Sequence, residues 1–297
     1  MSAVRIFALP GSGTIPDGLL RALGARAGAA ETRRFPDSEL YLRILEPVRG
    51  CDTIIYGSLD HPDGKFIALV FLARTLRTLG ARSVGLLTPY LAYMRQDQQF
   101  KPGEGVTSHY MADLLSRELD WLVTVDPHLH RIHELGQIYR IPTRVVHAAQ
   151  AMAQWIEQNI QTPLLVGPDE ESAQWVRDVA RRVGAPSTVL QKMRYGDREV
   201  EVSMPDVDRY KRHTPVLVDD IISTARTMIE TVGHLRQLGL PAPVCIGVHG
   251  IFAGTAYQDL LQAGTARIVT TSSIPHSSNA IDLVPDLTAA VQELLPK

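Results

Sequence analysis

The stretch Thr214 to Met228, TPVLVDDIISTARTM, holds the densest chemistry in the chain. Two carboxylates, Asp219 and Asp220, stand side by side, and Ser223, Thr224, Ala225, Arg226 and Thr227 follow. Adjacent carboxylates suit sugar hydroxyls or a metal ion. Hydroxyls at the start of a helix, with its free N–H groups and positive dipole end, suit a phosphate. The plain alternative is an ordinary strand-to-helix loop with solvated acids. Two other segments place acids in the same setting. Trp121 to Val125 runs into Asp126-Pro127-His128-Leu129-His130, and Leu164 to Gly167 runs into Pro168-Asp169-Glu170-Glu171. Two histidines beside an aspartate suit a metal or a phosphate. No third soft ligand lies nearby, which disfavours zinc. Mg²⁺ held by few protein groups and several phosphate oxygens fits better. Glu170 and Glu171 are good chemistry for a first helical turn and need no function. Three strand ends that each deliver a carboxylate, at Asp126, Asp169 and Asp219/Asp220, argue for one shared polyphosphate and metal site at a sheet edge.

Three further groups carry useful side chains. Thr88 to Asp97 follows another strand and ends in Arg95, Gln96 and Asp97, the composition of a binding loop. Phe35, Asp37 and Glu39 read either as an aromatic in a charged hairpin or as a platform for an aromatic base, with acids to accept from its amino group or ribose. Lys192 and Arg194 would share a face if extended. Glu199 and Glu201 follow closely, so a basic surface hairpin is the plain reading.

These residues need elements to hold them. Val216, Leu217 and Val218 form an apolar run long enough for one buried strand and too short for a buried helix. Ile229, Val232, Leu235 and Leu238 recur at helical spacing, and Gly239 with Pro241 closes that helix. The pattern predicts strands at Val4–Ala8, Leu40–Ile44, Thr53–Ser58, Ser83–Leu87, Trp121–Val125, Leu164–Gly167, Ser187–Leu190, Val244–His249 and, last, Arg267–Thr271. It predicts helices at Pro16–Arg26, Phe66–Gly80, from Thr107 or Ser108 as cap to Leu119, from the Pro168–Glu171 segment to Val183, and at Leu287–Leu294. The inward face of the second helix is Leu69, Leu72, Ala73, Leu76 and Leu79. The strand–helix rhythm runs twice, over 1–146 and 147–297, which suggests duplicated domains.

Composition bounds the function. At 297 residues and 45% hydrophobic, the chain can bury a substantial core, and its net charge of -2 implies no global polyanion-binding surface. A nucleic-acid partner is therefore not expected. Its two cysteines, Cys51 and Cys245, are far apart and in no metal-ligand spacing, as in a reducing compartment. No signal peptide is evident, and no apolar run approaches the ~20 residues of a membrane span. A soluble cytoplasmic protein without a membrane partner is expected.

Taken together, five motifs resemble the ribose-phosphate pyrophosphokinase (PRPP synthetase) family over nearly the whole chain, in the family's order. RRFPDSELYLRI resembles the adenine-binding segment, and TPYLAYMRQDQQFKPGEGVTS the segment with an Ala-Arg-Gln-Asp core. VDPHLH resembles the metal and phosphate motif, VGPDEESAQWV the Ser-Pro-Asp motif, and VLVDDIISTARTM the ribose-5-phosphate loop. The wording around Lys101-Pro102-Gly103-Glu104 and Lys192-Met193-Arg194 is similar to archaeal-type members.

The resemblance implies an α/β fold of two type I phosphoribosyltransferase-like domains, each a mainly parallel sheet flanked by helices, in a homo-oligomer of two or more subunits. It implies an active site between the domains, completed by a neighbouring subunit. Phe35, Asp37 and Glu39 would serve the adenine and ribose of ATP across a subunit interface. Arg95, Gln96 and Asp97 would hold the nucleotide and its phosphates. His128 and Asp169 would contact Mg²⁺ directly or through water. Asp219 and Asp220 would bind ribose hydroxyls, Ser223 to Thr227 would wrap the 5-phosphate, and Lys192 and Arg194 would be the catalytic pair. The implied reaction moves the β,γ-diphosphoryl group of MgATP to ribose 5-phosphate. A non-catalytic regulatory homologue, or a relative acting on another substrate, are the competing readings. The sequence departs from the family where Ala225 and Arg226 replace a glycine pair, and where Pro127 and His130 stand in the metal motif. The loop Gln98–Gly105 lacks the pattern of ADP-inhibited members, so weak or absent ADP allostery is expected.

Overall fold

The computed structural model describes residues 3–129, 131–167, 173–195, 199–203 and 207–296. Two compact units divide the chain. One comprises 1–147, 273–275 and 283–297; the other comprises 148–272 and 276–282. The sequence suggested one division at 146/147. The first boundary lies beside that point, but 283–297 belongs with the first unit.

In the first unit the strands are β1 (Val4–Ala8), β2 (Arg26–Ala27), β3 (Ala30–Arg34), β4 (Leu40–Ile44), β5 (Asp52–Tyr56), β6 (Ser83–Leu87), β7 (Trp121–Val125) and β8 (Thr143–Val146). Six form a parallel sheet in the order β2-β1-β5-β6-β7-β8, while β3 and β4 pair as a separate antiparallel hairpin. The helices are α1 (Asp17–Ala22), α2 (Pro62–Thr78), α3 (Thr107–Glu118) and, from the chain's end, α8 (Val284–Leu294). β5, β6 and β7 are buried at every position. Strands covered on both faces by crossover helices read as continuous apolar runs, which is why sequence alone located them. Gly85 on β6 pairs with Trp121 on β7, and a Cβ there would lie 2.0 Å from the indole, so the glycine makes room for the ring. Helix α8 packs on α1, β7 and β8, with Arg144 Nε 2.6 Å from Glu293.

The second unit repeats this plan. Its strands are β9 (Pro163–Gly167), β10 (Ser187–Val189), β11 (Gln191–Tyr195), β12 (Glu199–Ser203), β13 (Thr214–Ile222), β14 (Val244–Gly250), β15 (Arg267–Thr271) and β16 (Asn279–Ile281). The parallel order is β10-β9-β13-β14-β15-β16, again with one separate antiparallel hairpin, β11–β12. The helices are α4 (Ala149–Asn159), α5 (Ala173–Val183), α6 (Arg226–Gln237) and α7 (Ala256–Gln262). Helix α6 buries Met228, Val232 and Leu235 in a core shared with Leu164, Val166, Leu217, Cys245 and Leu260.

Several sequence expectations are corrected. Helix α1 stops at Ala22, and the chain then pairs as β2. The buried stripe of α2 runs from Lys65 to Leu76 and leaves Leu79 exposed; that of α6 begins at Met228, one residue before Ile229. Neither Thr107 nor Ser108 caps α3: Val106 is the N-cap, with no side-chain hydrogen bond. Helices α4 and α7 and strands β8 and β16 were not foreseen, because their apolar runs are short or broken by polar residues.

Candidate active site

Of the described candidates, Phe35, Asp37, Glu39, Arg95, Gln96, Asp97, His128 and Ser223 to Ala225 fall in loops that follow strands, whereas Asp219 and Asp220 lie on β13, Lys192 and Arg194 on β11, and Arg226 and Thr227 open α6. Among the described residues, every non-glycine at positive φ lies in such a loop: Ser38, His61, Tyr93, Asp126, His128, Ala225 and Phe252. Left-handed backbone costs a residue with a Cβ about 1–2 kcal/mol. Strain of this kind gathers where a loop has a task beyond joining two elements.

In the first unit, Phe35, Asp37 and Glu39 sit at the exposed tip of the β3–β4 hairpin. The tip is closed by Phe35 N–H to the Glu39 carbonyl and Ser38 N–H to the Phe35 carbonyl, both at 2.9 Å. Asp37 Oδ1 accepts the Glu39 N–H at 3.2 Å. Arg33 lies over both Phe35 and Tyr41, 4.6 and 4.2 Å from the ring centres, and covers one face of the Phe35 ring. Phe35 remains 39% exposed.

The loop after β6 uses its three candidates differently. Arg95 is exposed. Gln96 is turned to structure: its Oε1 accepts from Thr107 Oγ1 at 3.2 Å, and its carbonyl accepts the Ser108 N–H. Asp97 pairs with Arg131 at 3.1 Å. The tyrosine hydroxyl of Tyr93 donates to Asp63 at the start of α2, and this bond, with burial, raises the phenol above its ordinary value. The segment 98–105 contains a closed turn: Glu104 Oε2 accepts the N–H groups of Phe100 and Lys101, both at 2.9 Å.

After β7, Asp126 and His128 both take positive φ around Pro127 (28° and 53°), and the His128 N–H reaches the Asp126 carbonyl at 2.8 Å. Asp126 Oδ1 lies 2.9 Å from His147 Nδ1. His130 and Asp169 lie outside the described residues. Among the described residues no three His, Cys, Asp or Glu side chains gather as a metal cage.

In the second unit β13 runs straight through the acidic pair rather than ending before it. Asp219 pairs with Gly247 and Ile221 with His249 in unbroken register. Successive strand residues face opposite ways, so the two carboxylates serve different surroundings, and Asp219 Oδ1 also accepts the Asp220 N–H at 2.9 Å. Ser223, Thr224 and Ala225 then turn the chain into α6. Ala225 is the N-cap at φ 56°, with no side-chain cap and no acid in the first turn. The first N–H groups of the helix, at Arg226 and Thr227, therefore lack an intrahelical partner. The β14–α7 loop backs this turn: the Ile251 and Phe252 N–H groups reach the Ile222 carbonyl, and Ala253 N–H reaches that of Ser223, all at 3.0 Å. Phe252 in turn stacks with His276 at 4.5 Å and Tyr257 at 5.1 Å. Lys192 and Arg194 lie on β11, in backbone register with Val202 and Val200; their side chains lie outside what is described.

Sequence reasoning missed Arg131, Lys65 and the Phe252 cluster. Arg131 follows His128 by three residues, the one local signal that could have marked it.

Two parallel-sheet units of one topology, with a ligand-type loop at the carboxyl ends of their strands, define a protein of the phosphoribosyltransferase fold class; a phosphoribosyl transferase domain model matches residues 134–282. The model for the N-terminal domain of ribose phosphate pyrophosphokinase matches residues 4–118. The ribose-phosphate pyrophosphokinase of Methanopyrus kandleri is 30% identical over 280 residues, covering 93% of this chain and 94% of the relative. That of Sulfolobus acidocaldarius is 31% identical over 274 residues, covering 91% and 93%. The chain belongs to the ribose-phosphate pyrophosphokinase family. The crystal structure of phosphoribosylpyrophosphate synthetase from Mycobacterium smegmatis has the same fold, with a TM-score of 0.85 over 99% of both chains at 23% identity.

Proposed function

We propose that the chain is a ribose-phosphate diphosphokinase, moving the β,γ-diphosphoryl group of MgATP to the 1-hydroxyl of ribose 5-phosphate. The hydroxyl oxygen bonds to the β-phosphorus, the bond from that phosphorus to the α-phosphate oxygen breaks, and AMP leaves with PRPP as the other product. The observation that carries this reading is the turn into α6, an uncapped helix start directly after two carboxylates.

Each residue then has a role. Ser223, Thr224 and Thr227 supply hydroxyls to the 5-phosphate, Ala225 sets the turn, and Arg226 adds a planar donor edge. Asp219 and Asp220 orient the ribose hydroxyls. Arg95, Gln96 and Asp97 form the nucleotide loop, and Phe35, Asp37 and Glu39 receive adenine and ribose. His128 and Asp169 would hold Mg²⁺. When bound, the metal neutralises charge on the diphosphoryl oxygens. Little covalent chemistry falls to the protein, so positioning and charge stabilisation carry the rate. Lys192 and Arg194 supply positive charge to the transferring group. Lys192→Ala lowers turnover ~10²-fold or more, the scale for losing one preorganised stabiliser.

We further infer a homo-oligomer in the cytoplasm. The exposed hairpin tip supports presentation of Phe35 to a neighbouring subunit. So do Ile67 and Phe71 on α2 and Tyr110 and Leu114 on α3, all large, apolar and exposed. Both cysteines are free thiols, and among the described residues no helix is long and apolar enough to cross a membrane.

The deciding experiment incubates the purified protein with MgATP and ribose 5-phosphate and assays AMP and PRPP together. Equal amounts of both are expected. AMP without PRPP points to another acceptor, and neither product overturns the reading.

A further inference from the structure

Asp97 was expected from its motif to hold the nucleotide, yet its carboxylate is already engaged. The side chain is only 4% exposed. Arg131 Nη1 donates to Oδ1 and Oδ2 at 3.1 and 3.4 Å, and the Arg131 backbone N–H reaches Oδ2 at 3.3 Å. The loop after β6 is thereby tied to the loop after β7. The two partners differ sharply in exposure, because Arg131 keeps 51% of its side chain in solvent.

A guanidinium presents five donors in one rigid plane. Asp97 takes Nη1, while Nε and Nη2 make no hydrogen bond among the described residues. This leaves one whole edge, the one that matches two oxygens of a phosphate side by side. The orientation of that edge is further set by Phe100, whose ring centre lies 5.3 Å from Arg131 Cζ. Phe100 is itself held by the Glu104 turn. Arg82 with Asp52 and Arg74 with Glu118 show the same pairing of exposed cation and buried acid, so what sets Arg131 apart is its place in the fold. Its place, between the Arg95 loop and three residues beyond His128, is the carboxyl edge of β6 and β7, where a parallel sheet receives ligands.

We propose that Arg131 is a nucleotide-contacting residue, offering its free guanidinium edge to the phosphates of ATP, and that Asp97 is a positioning residue that orients Arg131 rather than touching the nucleotide. The inference rests on the diphosphokinase reading for the identity of the ligand. It extends that reading by moving a role from Asp97 to a residue outside the recognised motif, and it makes phosphate recognition at this edge depend on a planar donor that lysine cannot replace.

The test titrates the full-length protein with MgATP, and with adenosine as a phosphate-free control, following each variant's thermal midpoint in parallel. Arg131→Gln should raise the Kd for MgATP roughly tenfold to a hundredfold, the range for charge-assisted hydrogen bonds, with adenosine affinity and the thermal midpoint little changed. Arg131→Lys should recover little of the loss. Asp97→Asn should weaken MgATP in the same direction, and should add nothing in the Arg131→Gln background. Wild-type affinity for MgATP in Arg131→Gln overturns the proposal. So does an equal loss of adenosine and MgATP, which would mark a structural tie. An Asp97→Asn effect undiminished in the Arg131→Gln background would return the contact to Asp97. A wild type that binds MgATP but makes no PRPP sinks the diphosphokinase reading and leaves this one standing; failure to bind MgATP at all overturns both.

Discussion

The two units carry the same loop in two conditions. In each sheet the third strand in spatial order, β5 or β13, turns into a helix through a left-handed N-cap without a side-chain cap: His61 at φ 49° before α2, Ala225 at φ 56° before α6. The surroundings differ. At α2, Lys65 is buried with its Nζ 2.7 Å from Asp60 and 2.9 Å from the Ser58 carbonyl, and Asp63 lies in the first turn, accepting from Tyr93. Asp63 thus sets a negative charge in the first turn of α2, close to the positive end of the helix dipole. At α6 the first turn has no acid, and Thr224, Arg226 and Thr227 are exposed. One copy sets an acid at its positive end; the other leaves that end without one, which supports the phosphate role proposed for it.

The strongest way to break the contrast is to give α6 the acid that α2 has. Arg226→Glu should cut kcat/KM for ribose 5-phosphate ~10²-fold or more, since like charges brought together cost several kcal/mol. Steady-state kinetics at saturating MgATP read it, and an unchanged constant would mean the phosphate binds elsewhere. The next effect is the converse. Lys65→Met strands Asp60 beside an apolar chain and should destabilise by about 2–4 kcal/mol in a denaturant titration, below the full cost of a broken buried pair because Asp60 is partly solvated. Adding Asp60→Asn should recover much of that loss; if it does not, the pair is not what Lys65 contributes.

A smaller effect sharpens the likeness of the two turns. Ala225→Gly relieves a left-handed residue and should stabilise by roughly 0.5–1 kcal/mol, net of glycine's extra chain entropy. His61→Gly should do the same at α2, and a thermal scan of both tests whether the turns are strained alike. The smallest effect lies in the wall behind the α6 turn. Burial lowers the pKa of His276, whose Nδ1 accepts the Ser278 N–H at 3.1 Å and so favours the neutral ring. The unfolded chain then binds the proton more readily, and stability falls as pH drops below the ordinary histidine value of about 6.5. His276→Phe should flatten that part of the stability–pH curve; an unaltered slope would assign it to another group.

Much of this architecture was legible because central parallel strands have no polar face to confuse the pattern: β6, β7 and β15 match their expected bounds. The shortest elements were less legible: β2 spans two residues and β16 three, too few for a period to register, although the three-residue edge strand β10 was expected. At the site, residue types identified the loops but not the use of each side chain. Asp219 and Asp220 were placed in a turn, although pairing with β14 extends the strand beneath them. Gln96 bonds to Thr107 and Asp97 to Arg131, both distant in sequence. Such partners are set by tertiary contact, and no local motif records them.

The placement of 283–297 with the first unit bears on how the chain is made. On the ribosome, β1 to β8 emerge early, but α8, which packs on β7 and β8, comes only after the whole second unit has been translated. At ordinary elongation rates the wait is on the order of ten seconds. Through that interval the nascent first unit carries an uncovered patch of sheet. The half that starts first is finished last, and its newborn form is where a chaperone would find something to hold.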